Sequence, residues 1–332
     1  MSKFNIININ RRNEKDYNKW ITFLLAANGE TLFHHPDFLS YHNDRFEEHH
    51  LGIFKGEQLF GLLPLAIIEE DNIKIAKSPY GASYGGFIFK SILNYSDCKE
   101  IIINTIEYLE VLGVSKIILT PSLPMYHNNG YSDTFSFSLL EQGFNVVNSD
   151  ITSIVSLNTK DIENEIFTSK IRNMARKARK ARVDVQYKSN INDFWLLMDK
   201  TFKKHGSNAT HNKEQYLYLM NKFKNKIYAN IAYLDDIPIA GMGVFEINDK
   251  NIMSFYLCSD SNYQQTQAMS LLIYETILKS EKDKFHYFDF GTSSVNMVGR
   301  ENIFRFKESF GAIGNFRITY ELNIRKKNER KL

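Results

Sequence analysis

Two cysteines among 332 residues, Cys98 and Cys258, are too few for a disulfide framework or a four-ligand zinc site. They suit a reducing compartment, and a cytoplasmic protein is expected. No apolar run reaches the ~18 residues that a membrane-spanning helix needs, although a peripheral contact with a membrane stays open. Met1 to Arg12 has no apolar core ahead of its charges, so no signal peptide is expected. Six prolines, none between Pro124 and Pro238, and no Gly/Ser-rich stretch leave no linker to mark a domain boundary. With 41 basic and 38 acidic side chains the net charge is only +3, which excludes a global polyanion-binding surface; no DNA partner is expected. What the chain has in quantity is apolar and aromatic side chains, 43% and 14% of residues. That is too much for disorder, and the length allows two domains of about 150 residues.

The organisation shows as a faint duplication. Asp16-Tyr17-Asn18-Lys19-Trp20 opens an amphipathic stretch ending at Asn28-Gly29. Asp193-Phe194-Trp195 opens another ending at His205-Gly206, an offset of 177 between Gly29 and Gly206. Each reads as a helix closed by a glycine in the left-handed conformation. Shorter helical patterns follow at Pro36–Tyr41 and Lys213–Tyr218, again 177 apart. Hairpin signals follow both: His50–Phe54 with Leu59–Ile68, and Tyr228–Leu234 with Ile237–Ile247. A third strand comes next in each half (Ile73–Ser78; Asn251–Ser259). A helix follows (Asp97–Leu112; Thr266–Glu281), and then a short strand (Lys116–Thr120; Phe285–Asp289). The order resembles, twice over, that of the GCN5-related N-acetyltransferase (GNAT) fold. The expectation is therefore a mixed α/β chain of two tandem GNAT-like domains, over 1–155 and 156–332. The last strand, about 315–323, is expected to pack back on the first domain.

The strongest charge feature is local. Lys170 to Arg182 holds seven Lys or Arg in thirteen residues, with no acidic residue among them. Ile171, Ala175 and Ala178 recur at helical spacing and suit a core face. Arg172, Arg176 and Arg179 share that spacing one residue on, and guanidinium groups suit bidentate phosphate recognition. The alternative is a solvated helix face. Tyr80, Ser83, Tyr84, Gly85 and Gly86 belong to a glycine-rich loop between a strand and a helix, either a close backbone approach to a ligand or a bulged turn. Asp289 ends a strand before Gly291-Thr292-Ser293-Ser294, where it can serve as a base for an acceptor amine or cap the loop. Asp289-Phe290-Gly291 is not a kinase signature, because no Gly-rich loop, His-Arg-Asp or Ala-Pro-Glu accompanies it. No Gly-x-Ser-x-Gly elbow exists. The pairs His34-His35 and His49-His50, and His205 with His211, lack ligand spacing, so no metal is expected.

Phe288-Asp289-Phe290-Gly291, then Arg305-Phe306-Lys307-Glu308-Ser309-Phe310-Gly311, resemble motifs of the FemAB-like transferases. So do Leu62-Leu63-Pro64, Ser78–Gly86 and the basic helix, in the family's order, from about His34 to Phe316. The resemblance implies two tandem GNAT-like domains and transfer of an acyl or aminoacyl group to an amine. The family's best-known acceptor is a peptidoglycan precursor. It implies no bound cofactor, with acyl-CoA or aminoacyl-tRNA as co-substrate. By the same resemblance Lys307 lies at the transfer site beside Phe306, stabilising the developing oxyanion. Tyr256 matches a tyrosine near the acceptor pocket; it suits a core position equally. GNAT enzymes hold the coenzyme pyrophosphate on a glycine-containing loop. Here that place reads Tyr263-Gln264-Gln265-Thr266-Gln267-Ala268, without glycine, which shifts weight toward another donor such as aminoacyl-tRNA. The rival expectation is a non-catalytic, degenerate GNAT pair that binds a phosphorylated glycan or tRNA.

Overall fold

The computed structural model describes residues 2–159, 161–206 and 209–324; the side chain of His205, weighed above as a ligand, lies outside that description. The chain divides into two compact units, one formed by Met1–Ser149 with the chain from Phe316 on, the other by Asp150–Asn315. In the first, β1 (Asn5–Ile9), α1 (Glu14–Leu24) and α2 (Pro36–Leu39) precede β2 (Glu47–Glu48), β3 (His50–Lys55), β4 (Gln58–Leu63), β5 (Ala66–Glu70), β6 (Ile73–Ser78) and β7 (Ile88–Phe89). Next come α3 (Tyr95–Val111), β8 (Val114–Leu119), α4 (Thr134–Glu141) and β9 (Asn145–Ser156), which runs on into the second unit. That unit continues with α5 (Ile162–Glu165), α6 (Ser169–Lys180), β10 (Asp184–Gln186), α7 (Ile191–His205), α8 (Lys213–Lys222), β11 (Ile227–Leu234), β12 (Ile237–Asn248) and β13 (Asn251–Ser259). It closes with α9 (Ala268–Lys282), β14 (Tyr287–Thr292), the hairpin β15 (Ser294–Val295) and β16 (Val298–Gly299), α10 (Glu301–Glu308) and the start of β17 (Ile313–Asn323).

Both units repeat one plan: a helix pair, an antiparallel run of strands, then a helix leading into a parallel strand and a further helix. In the second unit the sheet order is β10-β11-β12-β13-β14-β9, antiparallel except for β13 with β14. In the first, β2-β5-β6-β8-β17 form one sheet, in which only β6 with β8 is parallel. A second, antiparallel sheet holds β1-β3-β4-β7. Tyr320 to Asn323 of the last strand pair with Leu119 to Lys116.

The copies differ where local chemistry differs. The spacing predicts one strand over Leu59–Ile68, but the chain breaks at Pro64-Leu65 and sends β4 and β5 into different sheets. Pro64 has no N–H for a ladder, and its carbonyl instead accepts the Ser78 hydroxyl. In β12 the one proline, Pro238, stands at the second residue, so the strand runs unbroken for 12 residues. Gly206 closes α7 at φ +59 as the sequence predicts. The matching helix α1 stops earlier, at Leu24, because the Asn28 amide is drawn to Phe89 O at 2.6 Å. Gly29, at φ +84, instead makes room: a Cβ there would lie 2.4 Å from the His127 ring.

In the second unit the apolar face of α6, Ile171, Ala175 and Ala178, is buried with Leu271, Leu272 and Ile277 of α9 and Met242 and Val244 of β12. Burial of one such large side chain stabilises by about 1.5–3 kcal/mol. This face of the basic helix is the core face that its spacing predicts.

The first unit buries an unusual amount of imidazole. His34, His42 and His50 are all under 5% exposed. Glu48 accepts from Arg11 Nε at 2.8 Å and from the Tyr80 hydroxyl at 3.0 Å, while His50 lies edge-on to Trp20 and stacks on Tyr80. Burial pushes His34 and His42 down to about 4, and His50 down as well. Such imidazoles take up a proton only on unfolding. Their contribution to stability is full above pH 6.5 and is lost as pH falls toward 4. The melting temperature should therefore drop across that interval, and His42→Phe should remove part of the drop. An acid profile unchanged in His42→Phe would take this side chain out of the linkage.

Candidate active site

β13 and β14 are paired over only three positions, Asn251↔Tyr287, Ile252↔Phe288 and Met253↔Asp289. Beyond them β13 runs on to Ser259, while β14 turns away through a bulge opposite β9. Gly291 makes the bulge, at φ +73. Asp289, 1% exposed, holds it: its Oδ1 accepts the Gly291 amide at 2.6 Å and the Thr152 hydroxyl at 2.8 Å. Lys307 comes up from α10 and donates through Nζ to Gly291 O at 2.8 Å and Thr292 O at 2.7 Å.

Asp289, Gly291 and Lys307 thus meet at one strand end. Of the two roles weighed for Asp289, the structure supplies the hydrogen bonds of the loop anchor. Lys307 is not on the surface of an amphipathic helix; it is 5% exposed. Burial lowers its pKa to about 8, against the opposing pull of the Asp289 charge. It therefore changes protonation state close to neutrality, as a free lysine does not. Phe306 points elsewhere, into an adjoining cleft, and packs at 5.4 Å on Phe310.

That cleft, of about 570 Å³, opens at the C-terminal end of β13 and the N-terminus of α9. Lys170 of α6, Lys204 of α7 and Arg305 of α10 line it, together with Met174, Phe306 and Gln267. Its rim carries no coenzyme loop of the glycine-containing kind. Ser261–Thr266 form a two-turn 3-10 helix, capped by Asp260, and Gln267 then takes φ +61 before α9 begins. A non-glycine residue there costs about 1–2 kcal/mol. Asp260 itself is neutralised by Lys200 at 2.7 Å, which holds its carboxyl below the usual range.

The remaining predicted residues fall into other settings. Arg172 donates to the carbonyls of Glu163 and Phe167 at 2.9 and 2.6 Å, and Arg179 bonds Glu275 and lies over the Tyr274 ring. Arg176 is exposed. The stripe is therefore not a row of three equivalent free guanidiniums. Tyr256 is buried, its hydroxyl 2.7 Å from His211 Nδ1, and burial raises its pKa to about 12. In the first unit Tyr80 and Tyr84 are each 1% exposed, and Arg317 donates to Ser83 O at 2.7 Å. The Gly85 amide bonds Thr120 O and that of Gly86 bonds Ser78 Oγ. The glycine-rich loop is a packed turn on which the interior closes. Sequence reasoning did not pick out Lys204, Arg305 or Lys170 individually. They are scattered over 135 positions, and only α6, α7 and α10 bring them to one cleft.

A helix leading into a parallel strand, present in two tandem copies and splayed from its neighbour in the second, fits the tandem GNAT architecture, a fold of acyltransferases. No family model and no curated protein sequence matches the chain. Solved structures do. FemX superposes with a TM-score of 0.70 at 10% identity, over 96% of this chain and 97% of that one. L-PGS from Bacillus licheniformis gives 0.60 at 11% identity, over 94% of each chain. A tandem GNAT protein from the clavulanic acid biosynthesis pathway gives 0.54 at 9%, over 96% and 98%. The fold is that of the FemAB-like tandem GNAT transferases.

The bulge is open to a direct stability test. Asp289→Ala strips the acceptor from the Gly291 amide and the Thr152 hydroxyl, leaving buried donors unpaired. It should cost about 2–4 kcal/mol in chemical denaturation. Asp289→Asn keeps an acceptor oxygen and should cost less. Equal stability of Asp289→Ala and wild type would show that the bulge does not depend on this carboxylate.

Proposed function

We propose that the chain is an N-acyltransferase of the FemAB-like kind. It moves an acyl or aminoacyl group from a thioester or aminoacyl-tRNA donor to an amino group of a cell-envelope precursor or amino sugar. The observation that carries this reading is the cleft at the C-terminal end of β13. It is walled by cations from three helices and set beside the N-terminus of α9. Such a wall suits the phosphates of either donor. Lys170 and Lys204 act there as point charges and Arg305 as a planar fork.

In the reaction the acceptor nitrogen forms its bond to the donor carbonyl carbon. The carbon–sulfur or carbon–oxygen bond then breaks, and the proton from nitrogen goes to the leaving group. The chain contributes positioning and a fixed positive charge. Lys307 supplies that charge from beneath the strand end, and its two carbonyl bonds fix the bulge that shapes the opening. Phe306 gives the cleft an apolar wall beside it. A second reading, a non-catalytic pair that binds a phosphorylated glycan or tRNA, is favoured by one feature: Tyr263–Ala268, the place of the coenzyme loop, has no glycine, and Ser261–Thr266 form a 3-10 helix whose C-cap is Gln267.

Thermal-shift measurements with coenzyme A, acyl-CoAs and aminoacyl-tRNA separate these readings. A specific ligand at a hundred times its Kd stabilises by about 2.7 kcal/mol. The triple variant Lys170→Ala, Lys204→Ala, Arg305→Ala should lose most of that shift and its salt dependence. Binding without turnover of any amine would favour the second reading.

With the donor known, Lys307→Met should lower kcat on the order of 10²–10³ and change KM little. The wild-type rate should fall as pH rises through about 8, where the ammonium is lost. Two carbonyls lose a donor in this variant, so a destabilisation of about 1–3 kcal/mol is expected, and rates belong well below its melting temperature. Wild-type kcat in the folded variant would remove Lys307 from the chemistry.

A further inference from the structure

The first unit has its own cavity, which shares with the cleft of the second two bounding helices, the one that leads into the parallel strand and the one that follows it. In the second unit the cleft is bounded by the start of α9, which leads into the parallel strand β14, and by α10, which follows it. In the first, a cavity of about 90 Å³ is bounded by the start of α3, which leads into the parallel strand β8, and by the start of α4, which follows it. The chemistry of the two differs. Among the residues lining this cavity there is no Lys, Arg, Asp or Glu. Its apolar wall is built by Phe87, Phe89, Ile92 and Phe135.

The polar part of the wall is mostly occupied by the fold itself. Asn28 donates to Gly130 O and accepts from the Asn129 amide, both at 2.9 Å, and Ser122 donates to Gly29 O at 2.9 Å. His127 is different. Its ring packs over Gly29 and meets Tyr131 edge-on, yet neither ring nitrogen has a hydrogen-bond partner among the described residues. Burial pushes its pKa down to about 4, so it is neutral at ordinary pH, with one nitrogen to donate and one to accept. Gly29 is the residue that lets the ring stand there, since any Cβ would collide with it.

We propose that the first unit carries a binding pocket for a small uncharged group, an amide or hydroxyl on an apolar body, held by the Phe87, Phe89 and Phe135 wall and hydrogen-bonded by His127. The volume equals that of about three waters, room for a short branched side chain or one end of a larger molecule. A carboxylate or ammonium entering it would give up its water and meet no opposite charge. The two units thereby divide the labour: an anion fits the second, a neutral group the first. The inference rests on the first unit alone and does not need the transfer reaction.

Three isosteric probes test it: isobutyramide, isobutyrate and isobutylammonium, titrated onto the whole chain labelled at its isoleucine methyl groups. Ile92 lines the pocket and reports occupancy. Isobutyramide should shift the Ile92 δ-methyl resonance in a saturable way, and each charged probe should bind at least roughly tenfold more weakly. His127→Phe keeps a ring over Gly29 and removes both nitrogens; it should weaken the amide by about tenfold. Ser136→Trp should fill the space and abolish the shift, with the other isoleucine resonances confirming the fold. No saturable shift of Ile92 with any probe, or equal affinity for the charged probes, overturns the proposal. An unaltered amide affinity in a folded His127→Phe overturns the part assigned to the imidazole.

Discussion

The second unit depends on a single buried arrangement at the end of β14. A parallel pair of strands closes by default along its length, because every unpaired N–H and C=O left behind costs free energy. Here the ladder stops after three pairs, and the groups it would have used are satisfied otherwise. Asp289 takes the Gly291 amide, and Lys307 takes the carbonyls of Gly291 and Thr292. The carboxylate and the ammonium also stabilise each other electrostatically, which holds part of the charge that burial would otherwise remove from Lys307.

A buried lysine with a pKa near 8 is costly to a fold, and a sheet edge could be satisfied more simply by water or a serine. That cost falls at the strand end beside the cationic cleft, which is where strain and shifted pKa values concentrate in functional sites. The basic helix divides its work in the same economical way. Its apolar face is core, Arg172 and Arg179 lock it to neighbouring carbonyls and to Glu275, and Lys170 is left to face the cleft. The self-repulsion of seven like charges is relieved partly by the fold itself, without any ligand.

The duplication explains why the two units share element order and differ in chemistry. A proline in mid-strand split the hairpin of the first copy between two sheets, and the loop that follows β6 closed on itself through Tyr80, Tyr84 and the glycines. His42 and His50 lie buried near Glu48 and Tyr80 in that copy. The second copy kept an unbroken β12, a long splayed edge and a cleft lined by cations.

Several of these properties were legible in the sequence. Helical and strand periodicity, turn residues and the 177-residue offset are local signals, and they announced the repeated α/β order and the core face of α6. The motif from Phe288 to Gly291 with that from Arg305 to Gly311 marked the place where Asp289 and Lys307 meet. Which way the side chains of the site face was not legible, because the burial of a polar residue depends on what packs above it, and periodicity marks only the apolar face. A lysine on a helix end reads as solvent-exposed until β14 lies across it. Tyr80 and Tyr84 read as ligand contacts until the interior closes over them. Lys170 stands in the basic run and Arg305 in the Phe-Lys motif, but nothing in the chain groups them with Lys204. Their charges become one feature only when three helices far apart in sequence converge, since an electrostatic field depends on distance in space, and that distance is set by tertiary packing alone.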